Sequence, residues 1–220
     1  MKKLMGKELQ LCINAQLVIF VAMAVLVMIP SWPPAAGFIY AISGIATIFP
    51  RTLANKDMEY TALLPVRKRD IVTGKTLLVC IAEIVSLLVA AGGSLLRNFV
   101  FNVIPEDAGS AAYSAAVAPN FSLFGFTIFA YGLVNLILLP LYYRDPYKKL
   151  TAPMLLSLFG FMAVEAAASL LVAFVPVFRN YDQIGWITQL STLGGGIIAF
   201  VLLTLLGMVL AQKKFEKIDL

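Results

Sequence analysis

The sequence predicts an all-α polytopic membrane protein with six transmembrane helices, and three observations predict it: composition, long apolar runs and the placement of basic residues. Of 220 residues, 60% are hydrophobic and only 13% charged, with a mean hydropathy of +0.89. A typical soluble domain carries about 25% charged residues and about 45–50% apolar ones. A soluble chain of this length has too little interior to hide so much apolar surface, whereas a bilayer accepts it.

A helix needs about 20 apolar residues to cross roughly 30 Å of hydrocarbon. The first run, Leu11–Pro30, follows a basic start. It is long for a signal-peptide core and lacks an evident small-residue cleavage site, so it reads as a retained first span. The others are Ala35–Pro50, Thr76–Leu96, Phe121–Tyr143, Thr151–Val177 and Trp186–Gln212. The second is short and the last two are long, which leaves room for tilt, kinks or re-entrant pieces.

Basic residues orient these spans. Lys2, Lys3 and Lys7 precede the first; Arg51, Lys56, Arg67, Lys68, Arg69 and Lys75 follow the second. Arg144, Lys148 and Lys149 follow the fourth, and Lys213, Lys214 and Lys217 end the chain. Of the 17 basic residues, the opposite side receives only Arg97 and Arg179. The positive-inside rule then puts both termini in the cytoplasm, and Trp32 and Trp186 fall at outer helix ends as interfacial anchors.

Several chemistries are excluded. The chain has no histidine, which removes His-dependent triads, haem ligation by His and the common zinc sites. Cys12 and Cys80 share no metal-like spacing and read as small apolar side chains. Gly74-Lys75-Thr76 imitates the end of a phosphate-binding loop, but Arg69 stands where that motif needs its first glycine. Small-residue stripes, Ser86/Ala90/Ser94 in the third span and Ser191/Gly195/Ala199 in the sixth, permit close helix approach, read first as packing within one bundle.

Two carboxylates fall inside spans, Glu83 and Glu165. Each costs about 2.5–3.5 kcal/mol at a helix centre, so each must face protein, water or a partner. Two readings stand: they line a translocation path that favours cationic or amphipathic cargo, or they hydrogen-bond between helices and fix packing. Packing is the stronger reading for Glu83, which lies nearer the cytoplasmic end. Asn14 and Gln16 are milder instances of the same kind.

The most informative segment is the basic loop 51–75. Asn55 can cap a short helix whose N-terminus favours Asp57 and Glu59. Met58, Ala62 and Leu63 give it one apolar face, and Pro65 breaks it at Leu64 before the chain re-enters the membrane. By physics alone it is a membrane-surface helix or a partner-docking helix. The pattern Glu59, Leu63-Leu64-Pro65-Val66-Arg67, Ile71-Val72 and Lys75 resembles the permease subunits of type-2 ABC transporters, especially small bacterial permeases that export peptides, such as phenol-soluble-modulin exporters.

The resemblance implies a single permease domain over 1–220, exporting amphipathic or antimicrobial-type peptides across a bacterial plasma membrane. It implies a coupling element at Asp57, Glu59, Leu63, Leu64, Pro65 and Arg67 that docks a separately encoded ATPase. That ATPase would bind ATP and magnesium; this chain would hold no cofactor, bind no nucleic acid and pair with a second permease copy or paralogue. It also implies an N-terminal interfacial helix over 1–11, with Lys2, Lys3 and Lys7 on anionic lipid. The relatives' outer-gate helices would be reduced here, since the loop 178–185 is brief. The competing reading is the six-span substrate-capturing component of a vitamin or small-molecule importer, which would not need the charged loop. An intramembrane enzyme finds no supporting constellation.

Overall fold

The computed structural model describes residues 6, 10, 12–29, 32–54, 67–101, 119–144 and 150–218, with side chains described except at 98–101. No strand occurs among them. The first span is helix α1, Ala15–Ala22, running into a 3-10 segment, Met23–Met28. Then come α2 (Pro34–Ala46), α3 (Ile48–Ala54), α4 (Lys68–Phe101), α5 (Phe121–Tyr142), α6 (Thr151–Phe174), a 3-10 turn (Pro176–Phe178) and α7 (Gln183–Glu216). Five helical stretches are long and apolar enough to cross a membrane: Pro34–Ala54, Lys68–Arg97, Phe121–Tyr142, Thr151–Phe174 and Gln183–Glu216.

The first span departs from expectation. It covers Ala15–Met28 rather than the run from Leu11 to Pro30. Asn14 fixes its start by accepting a hydrogen bond from the Leu17 N–H. Unwinding to 3-10 geometry offsets part of the lost length. At about 1.5 Å per α residue and about 2.0 Å per 3-10 residue, the segment spans about 24 Å. The second span is longer than the short run read from hydropathy, because α3 continues α2 after a turn at Thr47. The long sixth span contains no re-entrant break: α7 is one helix, capped by Asp182 on the Gly185 N–H.

α5 forms the centre of the bundle, packed against α6 and most extensively against α7. Glycines bring α5 and α7 into backbone contact. A methyl group at Gly125 would stand 2.5 Å from the Thr192 carbonyl oxygen, and one at Gly207 would stand 2.8 Å from that of Asn135. Gly37 of α2 and Gly93 of α4 likewise admit the 3-10 segment, a methyl group at either meeting Ala24 or Val25 backbone at 3.1 Å. The outward faces of α4, α6 and α7 carry exposed Leu, Ile, Val and Phe, including Leu88, Phe159, Ile187 and Leu202. Apolar helix faces of this extent suit lipid rather than water. Trp32 and Trp186 are both partly exposed, as interfacial side chains are.

Candidate functional site

Asp57, Glu59, Leu63, Leu64 and Pro65 lie outside the described residues, as do Lys2, Lys3 and Lys7. Arg67 is described, exposed and immediately ahead of α4. The two feet of the 51–75 loop are therefore visible: α3 enters it at Ala54, and α4 leaves it at Lys68. Asp70 sits in the first turn of α4, where a helix N-terminus favours negative charge. From there α4 continues unbroken through 34 residues.

At this loop end, the start of α4 is clasped to the end of α7. Arg69 donates to the Glu216 carboxylate, and Lys68 Nζ donates to the Ile218 carbonyl. Gln212 Nε2 donates to Thr73 Oγ1 at 3.1 Å. The guanidinium of Arg69 holds the Glu216 carboxyl below its ordinary range, first through the hydrogen bond. Lys75, counted from sequence with the loop's surface cations, is instead 1% exposed. Its ammonium donates to Thr52 Oγ1 at 3.1 Å and to Cys12 Sγ at 3.4 Å, tying α4 to α3 and to the residues before α1. Arg51 reaches Gln16 Oε1 at 3.4 Å, so that polar residue of the first span serves the loop end.

Both intramembrane carboxylates are sealed, each at 0% exposure. Glu83 Oε2 accepts from Asn135 Nδ2 at 3.0 Å, and the same amide donates to Thr204 Oγ1 at 3.2 Å. One amide thus joins α4, α5 and α7. One turn further along α4, the Ser86 and Tyr131 hydroxyls are 2.9 Å apart, and the Tyr131 ring stacks on Phe161 of α6 at 5.3 Å. Tyr131 lies within electrostatic reach of both Glu83 and Glu165. Glu165 differs from Glu83: the one described side chain within hydrogen-bonding reach of its carboxyl group is Thr127, and no contact to either oxygen has full hydrogen-bond geometry. Its neighbour Thr127 turns its hydroxyl to the Leu123 carbonyl at 3.0 Å.

The small-residue stripes separate. Ser86 and Ala90 are buried in the bundle, whereas Ser191 and Gly195 are exposed, and Gly196 is the sixth-span glycine that packs against α5. Asn135, Tyr131, Thr127 and Thr204 were not singled out by sequence. The signal for Asn135 was present, since an amide inside an apolar run calls for a partner as a carboxylate does. Thr127 and Thr204 give no such signal, because a threonine hydroxyl can bond a carbonyl of its own helix, and Tyr131 gives none because most of its side chain is an apolar ring.

Membrane-length helices around a sealed polar centre define a polytopic α-helical membrane protein. The family model described as ABC-2 family transporter protein matches residues 3–216, and the chain belongs to that family. It is a transporter's membrane component, not an enzyme. No curated protein and no solved structure matches it.

Proposed function

We propose that this chain is the permease subunit of an ABC exporter for amphipathic or antimicrobial-type peptides. It works as a dimer with a second copy or paralogue, driven by a separately encoded ATPase that binds ATP and magnesium. The loop end and both termini face the cytoplasm of a bacterium, and Lys2, Lys3 and Lys7 rest on anionic lipid. The observation that carries this reading is family membership across residues 3–216. Asp57, Glu59, Leu63, Leu64, Pro65 and Arg67 dock the ATPase, and α4 supports that assignment as an unbroken helix from the loop's edge to Glu83. A displacement at the loop is thereby delivered to the membrane centre. Glu165, with Glu83 behind it, faces the cargo path once α5, α6 and α7 part. Its buried carboxyl group, with only Thr127 and no cation beside it among the described residues, is the feature that favours a cationic visitor.

Affinity purification of the chain with the ATPase of its own operon tests the reading. The pair should co-elute and hydrolyse ATP, and Glu59→Ala with Leu63→Ala should abolish co-elution while the permease stays folded. ATP hydrolysis by the purified chain alone would overturn it.

A further inference from the structure

Both feet of the loop stand on one continuous row of rings. Phe49 of α3, ahead of the loop, packs edge-on against Tyr142 with centroids 4.9 Å apart. Tyr142 meets Tyr143 at 4.8 Å, and Tyr143 meets Phe215 of α7 at 5.0 Å. The ammonium of Lys68, which begins α4 after the loop, lies 6.0 Å from the centre of the Phe215 ring. None of the four rings is more than 1% exposed.

We infer that this row, Phe49–Tyr142–Tyr143–Phe215–Lys68, is the mechanical relay that carries motion of the coupling loop into α5 and α7; it rests on the permease reading above. The physical reason is stiffness. Close-packed rings cannot be compressed, and a packed interface shifts between discrete arrangements instead of yielding gradually. The relay adds a second route between the loop's feet: α3 and α4 meet directly through Lys75 and Thr52, while the rings join them through the ends of α5 and α7. The clasp of Arg69 on Glu216, Lys68 on Ile218 and Gln212 on Thr73 lies alongside over the last turns of α7. With both in place, α4 cannot advance without taking α7 along. Tyr143 and Phe215 are then positioning residues for transport, far from any cargo.

The test uses the permease–ATPase complex in vesicles, with a fluorophore on Ser191→Cys at the exposed far part of α7, and with Mg-ATP plus vanadate as the probe. Trapping should change the fluorescence in the otherwise unaltered complex. Phe215→Leu and Tyr143→Leu should shrink that change by about two- to thirty-fold, the range such coupling losses span, while the ATPase stays bound and still hydrolyses ATP. Tyr143→Phe, which keeps the ring, should restore it. An unchanged response in Phe215→Leu, or no rescue by Tyr143→Phe, would overturn the relay and leave the permease reading intact. Absence of any bound ATPase in the unaltered sample would overturn that reading and the relay with it. In a second measurement, a Thr73→Cys/Gln212→Cys cross-link should form equally with and without trapping. A yield that falls on trapping shows α4 parting from α7 and refutes their joint movement.

Discussion

Asn135→Leu tests the centre of the bundle most directly. The amide makes two contacts, 3.0 Å to Glu83 Oε2 and 3.2 Å to Thr204 Oγ1. Glu83 Oε1 already lacks a partner among the described residues, so the substitution leaves the whole carboxyl group without one. Stranding a buried polar group costs about 1–3 kcal/mol, and more for a charged one. Interhelical hydrogen bonds in membranes average about 0.6 kcal/mol, because the unfolded chain in lipid also finds partners. Since Glu83 is fully buried, the stranding cost governs, and we expect a loss of about 1–3 kcal/mol. Replacing both partners by apolar groups of similar shape is close to neutral. Glu83→Leu combined with Asn135→Leu should therefore recover most of the loss. Unfolding in mixed micelles by added SDS, followed by tryptophan fluorescence, would give all three values. If the single substitution costs nothing, or the double costs the sum of the two singles, the bond is not what the amide supplies.

Three further outcomes follow from the same geometry. Gly125→Ala places a methyl group 2.5 Å from the Thr192 oxygen and should cost about 1–3 kcal/mol by overpacking. Gly195→Ala meets no atom within 4 Å and should gain about 0.5–1 kcal/mol of helix stability in the same assay. The Glu216 carboxyl titrates below its ordinary range, so its clasp to Arg69 is present above the unfolded value and is lost as pH falls through the folded one. A carbon-13 titration of that carboxyl should move up in Arg69→Gln, and an unmoved midpoint would remove the pair from the clasp. Both groups are exposed, so added salt should weaken the pair as well.

Composition and hydropathy were enough to reach the class of protein, because a bilayer demands runs of a set length and little else. The loop pattern from Glu59 to Lys75 was enough to reach the family. Hydropathy could not place the ends of the spans. It reports where a segment is apolar but not whether it is wound as α or 3-10 helix, and so it misread the first span and shortened the second. Lys75 shows the same limit from the other side: its sequence neighbours mark a surface cation, and only the approach of Thr52 and Cys12 puts it inside. Glu83 and Glu165 carry the same signal in one dimension, an acid in an apolar run. They part in three dimensions, because a helix fixes which face a residue occupies but not what the neighbouring helix offers there. Asn135 of α5 meets Glu83, Glu165 has only Thr127 beside it, and Phe49, the Tyr142–Tyr143 pair and Phe215, far apart along the chain, meet only through packing. Sequence determined that this protein spans a membrane and which charges would be costly there; the helix–helix register decided which of those charges found a partner.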